Sequence, residues 1–123
     1  MSSMRKILFL LLVSFVTPAF SSAEVNIYTS RHYDSDEALY AEFTQEMGVK
    51  VNIISGKGSA LLERLKSEGK NSPADIFFTV DAGNLWKVQK DGLFQSITSE
   101  KVLDIVPDNL RGPKNEWTAI AKR

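Results

Sequence analysis

From Val25 to Thr29 apolar or β-branched positions alternate with Asn26 and Tyr28, a period-two pattern that predicts a short strand. Leu39, Phe43 and Met47 then recur every four residues and predict a helix with one apolar face. Asp34 with Glu37 resembles a capping box at its start, and Gly48 suits its end. A second alternation over residues 49–54 predicts a second strand. Residues 55–59 read as a turn, 60–68 as a helix turning Leu61, Leu62 and Leu65 inward, and 69–73 as a loop. Residues 74–80 are nearly continuously apolar, the pattern of a strand buried on both faces of a parallel sheet. Asp81 then caps a third helix that carries Leu85, Trp86 and Val88 and ends near Asp91-Gly92, after which Leu93 and Phe94 tuck back toward the core. A short helix over 99–105 is stopped by Val106-Pro107, Gly112-Pro113 and Asn115 mark a turn, and Trp117 to Ala121 open a further strand.

Strand and helix in alternation predict an α/β fold, a mostly parallel sheet with flanking helices. In such a sheet the turn after the first strand faces the crevice where ligands bind. Here that turn is Ser30-Arg31-His32-Tyr33, and it holds the only histidine of the chain beside a tyrosine. Tyr28 and Tyr40, inside predicted elements, are expected to pack.

The chain's opening changes the picture of where the protein works. Arg5 and Lys6 precede an apolar run from Ile7 to Val16, followed by Pro18 and the small residues Ser21-Ser22-Ala23. This is the layout of a secretory signal peptide over residues 1–23, with a core too short for the roughly 20 residues of a spanning helix. No cysteine follows to carry a lipid. Losing Arg5 and Lys6 takes the balance from 15 basic and 15 acidic residues to a net charge of −2, which gives no electrostatic reason to expect nucleic acid as a partner. The absence of cysteine also removes disulfides and thiolate metal ligands.

Other chemistry is poorly supported. The stretch Ser55-Gly56-Lys57-Gly58-Ser59 lacks the spacing of a phosphate-binding loop and reads as a turn. Asp34, Asp36 and Glu37 are explained as helix-start charges without a calcium site. No nucleophile elbow or zinc motif is present, so a secreted hydrolase is the weakest alternative.

The runs Val25 to Asp36 and Ala41 to Val51 resemble the start of the periplasmic ferric-iron-binding proteins, the substrate-binding components of bacterial iron ABC transporters. Leu61 to Gly69, Asn71 to Ile76, Asp91 to Phe94 and Trp117 to Arg123 continue the similarity. Members of that family are considerably longer. The resemblance therefore implies that residues 24–123 are the N-terminal part of the first lobe of a two-lobe periplasmic binding protein, a fragment without its second lobe. It also implies a periplasmic, monomeric, non-enzymatic protein that carries Fe(III) to a membrane permease, with a companion (synergistic) anion beside the ion.

By the same resemblance His32 matches a histidine that either binds the metal or stands behind it and orients a ligand, Tyr33 matches a tyrosine ligand of one branch of the family, and Arg123 matches a basic residue facing the cleft; Arg31 reads as solvated or paired with an acid and is a second candidate for a supporting or anion-binding role. A phenolate suits a hard, highly charged cation. One branch of the family places a glutamate ligand after the third strand, but the matching residue is Val80, which cannot ligate. A binding protein of the same fold for a polyamine, an organic anion or a sugar stays open as an alternative.

Overall fold

A computed structural model describes residues 22–120; the expected leader, apart from Ser22 and Ala23, and Arg123 lie outside the described residues. Strand β1 (Glu24–Thr29) leads to helix α1 (Asp34–Met47), strand β2 (Lys50–Ser55) and helix α2 (Gly58–Glu68). A single 3-10 turn (Gly69–Asn71) precedes strand β3 (Ile76–Phe78), followed by helices α3 (Ala82–Lys90) and α4 (Glu100–Ile105) and a second 3-10 turn (Asp108–Leu110). The sheet has the order β2-β1-β3, and both pairings are parallel.

Register explains which side chains make the core. Tyr28 lies opposite Ile54 on one side and Phe77 on the other, so these three share one sheet face. Onto that face α2 brings Leu61, Leu62 and Leu65 and α3 brings Val88, forming a buried cluster against which Ala74, Leu93 and Phe94 pack. The tuck of Leu93 and Phe94 and the inward face of α2 are as the sequence predicts. Tyr28 is fully buried and donates its hydroxyl to both oxygens of Glu68, each at 2.9 Å. A polar group with that degree of burial needs such a partner.

Two expectations are corrected. The Leu39–Phe43–Met47 stripe of α1 does not face inward: the three are 53%, 38% and 63% exposed. The most enclosed side chains of α1 are instead Asp36 and Tyr40, four apart and therefore on one face. Strand β3 covers only 76–78 and is not buried on both faces, because it is an outer strand; Ile76, opposite Ile27, keeps 47% of its surface. Near the end of the chain, the described part of the expected strand forms an antiparallel bridge of Thr118 with Arg111, flanked by Gly112 N–H to the Trp117 carbonyl at 2.9 Å and Ala119 N–H to that of Leu110 at 2.8 Å.

Candidate metal-binding turn

Because all three strands are parallel, their C-terminal ends lie along one edge of the sheet, and the β1–α1 turn rises from the middle of it. The sheet's hydrogen bonding runs on into that turn: Ser30 N–H donates to the Phe78 carbonyl at 3.0 Å, and Gly56 N–H donates to that of Thr29 at 3.1 Å. Arg31 N–H donates back to the Thr29 hydroxyl at 3.0 Å, a local turn of the kind serine and threonine favour. On the far side Asp36 N–H donates to the Tyr33 carbonyl at 2.9 Å. The turn is thus tied at both ends, and His32 and Tyr33 stand exposed at its crest.

The helix start differs from the capping-box expectation. Tyr33 takes the N-cap position with extended backbone and no side-chain cap bond, and Asp34 is already helical. With Asp34 one residue inside, the carboxylates of Asp34, Asp36 and Glu37 sit in the first turn and act on the helix dipole rather than as caps. Asp81, by contrast, caps α3 as its position suggests, accepting from Gly83 N–H at 2.8 Å.

Asp36 does more than sit at a helix start. Only 8% exposed, it accepts a fork of bonds from Arg31, Nε at 2.8 Å and Nη2 at 2.9 Å. This hydrogen bond is the main reason the Arg31 guanidinium is held above its ordinary pKa, with desolvation opposing. The same guanidinium lies against two rings, Phe78 at 4.3 Å and Tyr33 at 4.9 Å from the ring centres. Two of its donors are therefore committed to Asp36, which narrows the anion-binding role that the sequence left open for Arg31.

Below the turn is a hollow of about 340 Å³ lined by Thr29, Arg31, His32, Tyr33, Asp36 and Tyr40 among others. The Tyr40 hydroxyl is buried at its wall without a hydrogen-bond partner of good geometry. Burial, seconded by the Asp36 charge, pushes that phenol up and keeps it neutral. On the other flank Ser30 donates to the Thr79 hydroxyl at 3.2 Å, and Asn84 reaches the same oxygen at 3.5 Å. Sequence reasoning did not single out Thr79 or Asn84, since neither carries a motif and only the folded sheet edge brings them to Ser30.

The described residues hold no group of three or more His, Cys, Asp or Glu side chains able to enclose a metal ion. The structure does bring His32 and Tyr33 together at the crevice edge, with Arg31 beside them. Val80, where a glutamate ligand was considered, is 55% exposed. Arg123 lies outside the described residues.

Residues 28–123 match the model of the bacterial extracellular solute-binding protein family. Over 100 residues the chain is 53% identical to "Iron uptake protein A1" of Synechocystis sp., an alignment covering 81% of this chain and 28% of that protein. Among solved structures, a Trichodesmium protein in complex with iron and citrate is 54% identical with a TM-score of 0.74, covering 78% of this chain and 30% of that one. A ferric binding protein from Campylobacter jejuni is 41% identical with a TM-score of 0.75, covering 77% and 30%. The chain thus spans less than a third of the length of these relatives. It belongs to the bacterial extracellular solute-binding proteins, a family of binding proteins rather than enzymes.

Proposed function

We propose that this chain is the N-terminal part of the first lobe of a periplasmic iron-binding protein, which captures Fe(III) and passes it to the permease of an ABC transporter. The observation that carries the reading is the placement of His32 and Tyr33, side by side at the crest of the turn on the crevice edge of the sheet. The relatives named for iron uptake and ferric binding supply the cargo.

In this reading Tyr33 binds as phenolate, the bound cation replacing the phenol proton, and His32 binds through a neutral ring nitrogen. Two ligands leave most of the coordination sphere of a hard trivalent ion to water or to donors from a second lobe. A companion anion completes the charge balance, as citrate accompanies iron in the Trichodesmium structure, and Arg123 is its proposed contact. Residues 1–23 are the export signal, removed after Ala23, and the mature protein is a monomer.

The test is a ferric titration followed by visible absorption, on this chain and on a longer form carrying a second lobe. A tyrosinate-to-iron charge-transfer band is expected, weak in the short form, and Tyr33→Phe removes the contribution of the turn. Silence in the longer form sinks the iron reading and favours another small cargo.

A further inference from the structure

A ligand on an exposed turn must be ordered before it can bind, and each immobilised side chain costs roughly 0.5–1.5 kcal/mol. Tyr33 is 44% exposed, so the packing of a core does not fix its ring. The Arg31 guanidinium lies against that ring, 4.9 Å from its centre. That guanidinium is itself held from two other directions, by the fork to the buried Asp36 and by the Phe78 ring at 4.3 Å. Phe78 belongs to β3 and Asp36 to α1, so the group is anchored both to the sheet and to the helix that the turn leads into.

We infer that Arg31 is a positioning residue for Tyr33, a flat platform locked by Asp36 and Phe78 on which the phenol ring is held in the direction needed for iron. This inference rests on the iron reading given above. Arginine suits the task and lysine does not, because only a planar guanidinium can fork to a carboxylate and offer a face to a ring. The paired Asp36 offsets the positive charge, so the platform orders Tyr33 without adding a net repulsion toward a trivalent cation. Outer groups that orient metal ligands typically change metal affinity on the order of 10–100-fold when mutated, and Arg31→Lys is expected to weaken ferric binding about tenfold.

Two measurements decide. In the metal-free chain, proton Overhauser effects from the side chain of residue 31 to the Tyr33 and Phe78 rings are compared between the parent and Arg31→Lys. In the iron-loaded longer form, the charge-transfer band and ferric affinity are measured for Arg31→Lys, Tyr33→Phe and the double variant. Overhauser effects that vanish in Arg31→Lys, with an affinity loss that disappears in the Tyr33→Phe background, support the inference; a merely structural role would cost affinity equally in both backgrounds. Unchanged Overhauser effects overturn it, as does an equal loss in both backgrounds. If the Overhauser effects vanish but no iron band forms in any variant, Arg31 still positions Tyr33 and it is the iron cargo that fails.

Discussion

Replacing Asp36 with alanine removes one side of the Arg31–Asp36 fork and leaves the other in place. Asp36 is 8% exposed, while the Arg31 side chain retains 23% of its surface. Breaking a fully buried pair from one side costs about 3–5 kcal/mol, whereas exposed pairs contribute about 0.2–1 kcal/mol. Arg31 falls between these limits, because water reaches part of the guanidinium but the rings of Phe78 and Tyr33 block other approaches. The expected loss is about 2 kcal/mol, which for a domain of this size lowers Tm by roughly 8–16 °C. Part of any loss will come from the helix dipole, since Asp36 lies in the first turn of α1. Urea unfolding followed by far-ultraviolet circular dichroism separates the parts through a cycle of Asp36→Leu, Arg31→Met and both together. The double variant should recover most of the loss, because two apolar side chains leave no buried charge unpaired. A double variant as unstable as Asp36→Leu alone would refute the pairing as the source of the effect.

Other perturbations test other parts of the chain. The Arg64 hydrogen bond, seconded by Ser72 and Tyr28 against the opposing cost of desolvation, holds Glu68 below the usual carboxylate range. A depressed carboxylate contributes stability that is present above its unfolded value and lost as pH falls through its folded value. Glu68→Gln should therefore flatten the acid limb of the stability curve, and an unchanged limb in acid titrations would contradict this. Leu62→Ala, at a site 4% exposed inside the α2 face of the core, is expected to cost about 3 kcal/mol in urea unfolding, against less than about 0.5 kcal/mol for the exposed Ser59→Ala. Gly48 closes α1 at φ +65° with open space around its Cα, so Gly48→Ala should cost about 1 kcal/mol through backbone strain alone and Gly48→Asn distinctly less, read as the difference in urea midpoint.

The strand–helix order, the inward face of α2 and the turn carrying His32 and Tyr33 were legible because each rests on local pattern. Leu61, Leu62 and Leu65 need only helical periodicity to share a face, and a turn after a first strand needs only the order of elements. The face of α1 was legible only at Tyr40, which was expected to pack. Its most regular stripe is Leu39, Phe43 and Met47, yet the side chains turned inward are Asp36 and Tyr40, a carboxylate and a phenol. Hydropathy places no charged residue inside; the fork from Arg31, five residues earlier and across the turn, together with the N-terminus of α1, makes burial of Asp36 tolerable. The length of β3 failed for a related reason. An apolar run marks a strand that some surface could cover, and the position of β3 at the edge of the sheet leaves Ile76 and Val80 exposed.

The burial of Asp36 bears on how the candidate site works. A helix that buried Leu39, Phe43 and Met47 would be held by apolar packing alone, which is non-directional and leaves the preceding turn free to choose its path. By burying Asp36 instead, α1 accepts a polar group whose partner must come from a specific direction at a specific distance. The partner is supplied by Arg31 in the turn, so docking the helix and shaping the turn become one event. The rings of Tyr33 and Phe78 lie against the guanidinium that links them. A substitution that loosens α1 from the sheet should therefore disturb Tyr33 even when it lies far from the turn. A Tyr40→Phe variant separates the two effects, since it removes a buried hydroxyl on α1 that lacks a hydrogen bond of good geometry while leaving Arg31 and Asp36 in place. It is expected to stabilise the chain slightly, by about 0.5–1 kcal/mol, without altering the Overhauser effects of the Tyr33 ring. Stabilisation accompanied by a changed Tyr33 environment would mean that the turn reads the whole of α1 and not the Arg31–Asp36 fork alone.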